Sequence, residues 1–106
     1  MKNLYYMYKI SSTLYLQVLN LMVGHIDNKG YYSGSFELDF DDIRCRMTLS
    51  AVIYRSKNID AEHLQRGIDD IIPVWWEFHT ITANGDGEEI LNDFSFNELR
   101  TYLEEV

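Results

Sequence analysis

The sequence predicts an α+β domain, in which an antiparallel meander sheet of three to four strands carries an N-terminal and a C-terminal helix packed on one face. Three features support this prediction. Apolar residues fall on alternate positions between residues 35 and 54, which is the period of half-buried strands. Helical spacing occurs near both ends of the chain, at residues 12–25 and 95–106. No internal repeat or low-complexity tract separates these segments, so a single domain over residues 1–106 is expected.

The composition is that of a globular protein with an uneven charge distribution. Apolar residues make up 46% of the chain and charged residues 25%, and these fractions argue against disorder. The net charge is −8, and residues 69–106 alone carry −9, from ten Asp or Glu and one Arg. Because such a surface repels phosphate groups, direct nucleic-acid binding is not expected.

Two features bear on the cellular location. The only cysteine, Cys45, excludes an internal disulfide framework, and a cytoplasmic location agrees with this. The most apolar run, Leu14 to Val23, has ten residues and includes Gln17 and Asn20, whereas a helix needs roughly 20 residues to cross a bilayer. We therefore expect a cytoplasmic protein that has no membrane span and no membrane partner.

The first helix is predicted at residues 12–25, after a Tyr-rich segment. Residues 1–10 are compatible with an edge strand and with a segment laid across the core. Beyond them, polar residues spaced by four, three and four draw a narrow stripe on an otherwise apolar helix; they are Thr13, Gln17, Asn20 and Gly24. Ser11 or Ser12 is the expected N-cap. The alternative is a strand that ends in the Asp-Asn-Lys-Gly turn of residues 27–30.

A long β-hairpin is predicted from Tyr31 to Tyr54. Six apolar residues occupy alternate positions of its second strand: Ile43, Cys45, Met47, Leu49, Ala51 and Ile53. If Asp41-Asp42 is a two-residue turn, Phe40 lies opposite Ile43, and the apolar residues of both strands share one face. A one-residue slip would place the two apolar sets on different faces. The alternation therefore predicts this register.

The charges of the hairpin predict the same register. Asp39 then lies opposite Arg44, and Glu37 lies opposite Arg46. Each opposite-charge pair is worth about 0.2–1 kcal/mol as cross-strand neighbours. The least favourable feature is the turn, because Asp-Asp suits a tight turn less well than Asn-Gly or Asp-Gly. A longer loop or a bulge is the alternative there.

Three further elements are predicted downstream of the hairpin. Residues 60–66 resemble a short helix, with Asp60 as its cap and Gly67 at its end. Pro73 is expected at the start of a strand that spans Val74–Thr82, because no ladder donor is needed there. A turn with two glycines follows, after which residues 88–92 are predicted to return as a short fourth strand.

The last element is a predicted C-terminal helix with strong start signals. Ser95 and Glu98 have the spacing of a capping box, and Phe94 can pack against Leu99 as a hydrophobic staple. The apolar residues at helical spacing are Phe96, Leu99, Leu103 and Val106.

Catalytic and metal-binding motifs are missing from the sequence. His25, His63 and His79 are widely separated, and no pair has metal-ligand spacing. The acidic pairs at 41–42, 69–70 and 88–89 fall at predicted turns or element boundaries, where water screens their charge. No phosphate-binding loop, nucleophile elbow or catalytic-triad order occurs. We therefore expect a protein that is not an enzyme and that has no cofactor or metal.

Two adjacent tryptophans suggest a contact surface. Adjacent strand residues point to opposite faces, so Trp75 and Trp76 cannot both enter one core. With Trp76 packed inward beside Val74 and Phe78, Trp75 lies on the outer face. The candidate protein-contact patch comprises the apolar residues expected on this face, Trp75, Ile81, Tyr31, Val52 and Tyr54. The alternative is that residues 1–10 or a loop cover it.

These features predict a small, acidic, non-catalytic protein–protein interaction or accessory module. Its expected partner is a protein, which includes a second copy in a homodimer joined around Trp75. One alternative is an acidic decoy that mimics the charge of nucleic acid, suggested by residues 69–106. Another is a small hydrolase or ligand-binding domain with a pocket lined by His79, Glu77 or Tyr15.

Overall fold

The protein has an α+β fold built on four antiparallel strands in meander order. The computed structural model describes residues 7–55, 67–83 and 87–105. Its sheet has the order β1-β2-β3-β4, with strands β1 (Tyr31–Phe40), β2 (Ile43–Arg55), β3 (Ile68–Thr82) and β4 (Glu89–Ile90). Helix α1 (Ser12–Ile26) precedes the sheet, and helix α2 (Phe96–Arg100) and a 3-10 turn (Leu103–Glu105) follow it. The predicted α+β class and antiparallel sheet are confirmed, and the helix predicted at 60–66 lies outside the described residues.

The predicted register of the hairpin is confirmed along its whole length. Phe40 pairs with Ile43, and the pairing continues without a shift to the end of β1. Asp39 Oδ1 lies 2.9 Å from Arg44 Nε, and Glu37 Oε2 lies 2.8 Å from Arg46 Nη2. The opposite-charge pairs and the burial of alternate residues are therefore both consistent with this one register of β1 against β2.

The hairpin turn has two residues, as expected, but it is strained. Asp41 has a φ of 53°, whereas its turn neighbour Asp42 has no positive φ. A positive φ at the first turn position alone is the geometry of a type II′ turn, where glycine is preferred. An aspartate tolerates this conformation better than most residues with a side chain.

Helix α1 forms where its polar stripe predicts. The Ser11 side chain caps it by accepting a hydrogen bond from the Leu14 backbone N–H at 3.2 Å. The polar stripe is exposed, and the opposite side buries Leu14, Tyr15, Val18, Leu19, Met22 and Ile26. The strand alternative for this segment is therefore wrong.

A second strained turn connects α1 to β1. Asp27 has a φ of 55° and a ψ of −124°, and the Lys29 N–H donates to the Ile26 carbonyl at 3.1 Å. These features define another type II′ turn with an aspartate at the position that favours glycine. Arg55 holds this turn from β2, because its Nη2 donates to the carbonyls of Asp27 and Lys29 at 2.6 and 2.8 Å. The contact of Arg55 offsets part of the backbone strain.

Strand β3 is longer than predicted and contains a bulge. It begins at Ile68, so Pro73 lies inside the strand and not at its start. Ser50 pairs with Trp75 and Ala51 pairs with Pro73, which leaves Val74 as the extra residue of a β-bulge. A proline is tolerated at a bulge because the ladder is interrupted there. The prediction that Val74 points inward with Trp76 is wrong, since Val74 is 66% exposed.

The core joins α1 to alternate residues of the strands. Buried residues of α1, β1, β2 and β3 form one cluster with Phe94, Phe96 and Leu99. The Phe94 ring packs against three other aromatic rings. Its centroid lies 4.1 Å from that of Phe78, 5.3 Å from that of Tyr15 and 5.4 Å from that of Trp76. Stacked and tilted ring pairs at these separations add stabilisation beyond the area that they bury.

One buried threonine connects β3 to β4. Thr80 is fully buried, and its hydroxyl donates to the Ile90 carbonyl at 2.7 Å and accepts from Asn92 Nδ2 at 3.1 Å. A buried hydroxyl left without partners would cost about 1–3 kcal/mol. These contacts attach the short strand β4 to the sheet.

Helix α2 begins as predicted but is shorter. Ser95 caps it by accepting from the Glu98 N–H at 3.2 Å, and the helix ends at Arg100. The Ser95 N–H donates to the Tyr15 hydroxyl at 3.1 Å, so the reciprocal bond of a capping box is replaced by a contact with α1. The predicted continuation through Leu103 is wrong, because a 3-10 turn follows.

The Asp69-Asp70 pair lies inside β3 and not at an element boundary. Both oxygens of Asp70 accept hydrogen bonds from Arg100, at 2.9 Å from Nε and 2.6 Å from Nη2. This bidentate pair joins β3 to α2, and the hydrogen bond from Arg100 is the main cause that lowers the pKa of Asp70.

The N-terminal segment pairs with the chain that follows β4. The Tyr8 N–H donates to the Leu91 carbonyl at 2.7 Å, and the Asp93 N–H donates to the Tyr8 carbonyl at 3.2 Å. This is a parallel bridge between Tyr8 and Asn92. Tyr8 and Ile10 also pack against the core, so residues 7–10 combine features of both predicted alternatives.

Replacement of Asp27 by glycine is expected to stabilise the protein. Glycine adopts a φ of 55° and a ψ of −124° without the steric cost that a Cβ imposes, and the expected gain in the free energy of unfolding is about 1 kcal/mol. Urea denaturation followed by circular dichroism measures it. Asn28→Gly is the matched control, because Asn28 lacks a positive φ; it should lower stability. A loss of stability in Asp27→Gly would contradict the proposed strain.

Candidate functional site

The outer face of the sheet carries three groups of side chains. We call outer the face opposite the buried alternate residues of β1 and β2, which include Phe36 and Met47. Along the hairpin from its open end to its turn, the outer face is first aromatic, then lined by hydroxyl groups, and then charged. The three groups follow from the register, because cross-strand partners share one face.

An aromatic patch occupies the open end of the hairpin. Tyr31, Val52 and Ile72 are direct neighbours on β1, β2 and β3. Tyr54 follows Val52 on the same face, and Trp75 lies opposite Ser50, next to Val52. Tyr31 and Trp75 are each 51% exposed, and Tyr54 is 56% exposed. Large aromatic side chains therefore remain in contact with solvent on the outer face of the sheet.

The structure brings together four of the five residues predicted for the contact patch. Tyr31, Val52, Tyr54 and Trp75 lie in the aromatic patch. Ile81 is half-buried and lies opposite Arg44 at the charged end. It lies six positions along β3 from Trp75, which is about 20 Å of strand.

Sequence reasoning missed Ile72, which joins the patch. The bulge at Val74 moves Ile72 to the outer face and Ile71 into the core, where it is 1% exposed. Pro73 inside the strand is the signal that could have indicated the shift.

Hydroxyl groups cover the middle of the outer face. The hydroxyls of Ser33 and Ser50 are 2.8 Å apart, and those of Ser35 and Thr48 are 2.9 Å apart. Each pair joins β1 to β2, so the side chains of β1 bond inward to their own sheet.

A histidine between two glutamates dominates the charged end. His79 Nδ1 lies 2.6 Å from Glu89 Oε2, and His79 Nε2 lies 2.9 Å from Glu77 Oε1. Both ring nitrogens donate to the carboxylates when the ring is protonated. These hydrogen bonds favour the protonated ring and raise the pKa of His79, and the bond to Glu77 has the largest effect. Arg46 lies opposite His79 and pairs with Glu37. Acidic and basic side chains therefore alternate across this end of the sheet.

The remaining candidate residues for chemistry lie apart from one another. Tyr15 is buried in the core, whereas His79 and Glu77 lie on the outer face, so these three residues line no common pocket. Burial raises the pKa of the fully buried Cys45 thiol to about 11, which keeps it protonated and unreactive at neutral pH. The His25 ring stacks on Phe36 at 5.0 Å. Within residues 7–55, 67–83 and 87–105, no three His, Cys, Asp or Glu side chains group as metal ligands do.

Comparisons with protein-family models, with curated proteins and with solved structures find no match to this chain. Within the described part of the chain, no helix has the length and apolar character needed to cross a membrane.

Protonation of His79 is expected to stabilise the fold at low pH. Because the folded-state pKa is raised above the ordinary value of 6.5, the stabilisation is complete below about pH 6.5 and is lost as the pH rises through the folded-state pKa. The stability difference between the protein and His79→Gln should therefore be largest below about pH 6.5 and should shrink as the pH rises above it. Urea denaturation at several pH values measures this difference.

Glu89→Gln provides the matched control for this prediction. It keeps a side chain of the same size but removes one of the two carboxylates that face His79. The pH-dependent part of the stability should become smaller in Glu89→Gln. Equal pH dependence in the protein and in His79→Gln would show that the ion pairs of His79 do not contribute.

Proposed function

We propose that the chain is a non-catalytic protein-interaction module. In this proposal, α1 and α2 both pack on the inner face of the sheet, and a partner protein binds the outer face at the aromatic patch. The observation that carries the proposal is the grouping of Tyr31, Tyr54 and Trp75, each more than half exposed, around Val52 and Ile72. The earlier expectation of a contact surface is thus kept, without Ile81 as a member.

The aromatic patch has the composition of an interface centre. Trp and Tyr are enriched among residues that dominate binding energy, because they bury a large area and have few rotatable bonds. Strand residues in register present this area on a rigid backbone, so little ordering is needed when a partner binds. The hydroxyls of Ser33 and Ser50 border the patch and would supply part of a polar rim.

The charge of the chain favours a partner with an apolar centre and a basic rim. The net charge is −8, and Asp69, close to the patch on β3, is exposed. Complementary charge would speed association and exclude acidic competitors. Nucleic acid is disfavoured by the same charge. The cytoplasmic location stays a prediction.

The acidic-decoy function receives less support from the arrangement of charges. Glu37 pairs with Arg46, Asp39 pairs with Arg44, and Glu77 and Glu89 share His79. These outer-face acids are partly neutralised by cations of the same sheet, whereas an imitation of phosphate needs unpaired negative charge. That hypothesis rests on the net charge alone.

Replacement of Trp75 is expected to weaken partner binding strongly. A partner captured from cell extract is purified and titrated against the protein, Trp75→Ala and Leu91→Ala. Loss of a central aromatic residue should weaken the Kd by about tenfold or more. Leu91→Ala is the matched control, because Leu91 is an exposed apolar residue (66%) outside the patch; its effect should stay below about twofold.

Three outcomes would contradict the proposal. The first is a complex weakened equally by both substitutions. The second is a partner that binds as tightly to Trp75→Ala as to the protein. The third is self-association that Trp75→Ala alone abolishes, because the patch would then bind a second copy instead of a different protein. Circular dichroism of each variant checks that the fold is intact.

A further inference from the structure

We propose that the free edge of β1 joins two copies of the chain into a symmetric dimer with a continuous eight-stranded sheet. The two β1 strands would pair antiparallel about a two-fold axis at Ser35. This surface shares Tyr31 alone with the aromatic patch and does not include Trp75, and the inference does not depend on the proposed partner. Its basis is the backbone of β1, the symmetry of its sequence and the charges along it.

Strand β1 presents a row of backbone groups that no other described strand pairs with. Within the described residues, β1 is the first strand of the sheet and has β2 as its only neighbour. The Gly30 carbonyl accepts from the Ile53 N–H at 2.9 Å. The backbone N–H and C=O groups of the even-numbered residues in this segment therefore point towards β2. Backbone groups alternate in direction along a strand. The N–H and C=O groups of the odd-numbered residues therefore point to the free edge: Tyr31, Ser33, Ser35, Glu37 and Asp39.

The described edge strand β1 lacks three features that limit strand pairing, namely a bulge, a proline and a lysine. β1 has ten residues, and its pairing with β2 shows no bulge. It contains no proline and no lysine. Its two charged side chains, Glu37 and Asp39, are bonded to Arg46 and Arg44 of β2. Long edges of monomeric proteins usually carry such protective features, and their absence here favours a strand partner.

The sequence of β1 fits its own antiparallel copy. A two-fold axis at Ser35 pairs Ser33 with Glu37 and Tyr31 with Asp39 of the other copy. All five edge-facing residues then exchange backbone hydrogen bonds. The two acidic residues lie in one half of the strand and meet the uncharged half of the other copy. No acid faces an acid in this register.

Side-chain sizes on the inner face favour the same register. Phe40 would lie opposite Gly30 of the second copy, beside which there is open space, whereas Phe36 would lie opposite Gly34, whose backbone the Tyr32 ring of the same chain already covers. Leu38 and Phe40 are only partly buried in the single chain, so pairing would cover more of their apolar surface. An aromatic residue opposite a glycine on a neighbouring strand shields the exposed backbone and stabilises the pair. The large–small pair of Phe40 and Gly30 thus occurs at both ends of the paired segment, and Tyr32 lies opposite Leu38 between them.

Charge reversal at the two-fold axis tests this inference. Ser35→Lys and Ser35→Glu each place like charges opposite each other, and each should weaken the dimer about fivefold at low salt. An equimolar mixture of the two variants should recover dimers, because each mixed pair places Lys opposite Glu. Sedimentation equilibrium over the micromolar range measures the dimer dissociation constants.

Thr48→Lys is the matched control. Thr48 bonds to Ser35 through the hydroxyls at 2.9 Å, so this variant loses the same hydrogen bond and gains the same charge. In the proposed dimer the two copies of residue 48 lie three strand spacings apart, about 14 Å. Thr48→Lys should therefore weaken the dimer less than twofold. Ser35→Pro, which removes an edge-facing N–H, should leave only monomers.

The inference is overturned by any of four results. The first is a protein that sediments as a monomer at all concentrations, and the second is a Thr48→Lys variant that dissociates as strongly as Ser35→Lys. The third is a mixture of the two Ser35 variants that fails to recover dimers. The fourth is a Ser35→Pro variant that still forms the dimer. Trp75→Ala distinguishes the two proposals. It should leave the edge-paired dimer unchanged while it weakens partner binding by about tenfold or more, so either proposal can fail while the other stands.

Discussion

The pairing of Phe40 with Ile43 is the constraint on which the rest of the structure depends. Because side chains alternate between the faces of a sheet, this one pair decides which residues of β1 and β2 face the core and which face the opposite side. It buries Cys45, Met47 and Leu49 in the core cluster that also contains the apolar side of α1. It also sets two acid–arginine pairs on the opposite face, where they would be lost after a slip of one residue.

The fold accepts local strain to keep this register. Both turns next to β1 place an aspartate at a positive φ, Asp27 before the strand and Asp41 after it. Arg55, at the end of β2, donates to the carbonyls of the Asp27 turn. A side chain of the sheet therefore stabilises the junction between α1 and β1. Strained turns persist where surrounding contacts determine the conformation. Here those contacts are the ladder of the hairpin and the buried side of α1.

The outer face combines an aromatic patch with a free edge. In the proposed dimer, both copies lie in one continuous sheet and present their aromatic patches on the same face, with the two-fold axis at Ser35 between them. A partner with two binding sites, or a partner that is itself symmetric, would then bind more tightly than a single patch allows. The charged end around His79 keeps the rest of this face hydrophilic and paired.

The sequence by itself determined the hairpin register, the cap and polar stripe of α1, and the start of α2 at Ser95. These features are local: an alternation, a helical period or a cap depends on residues a few positions apart. The same local parity placed Tyr31, Val52, Tyr54 and Trp75 on one face.

Only the tertiary structure decided the phase of β3 and the end of α2. The bulge at Val74 carries Ile71 into the core and Ile72 to the patch, because Pro73 lacks the N–H that an uninterrupted ladder requires. Register also separates Ile81 from Trp75, since residues that share a face can still lie at opposite ends of it. The Ser95 N–H bonds to Tyr15, a residue 80 positions away. Contacts of that kind depend on which elements pack together, and no short stretch of sequence encodes them.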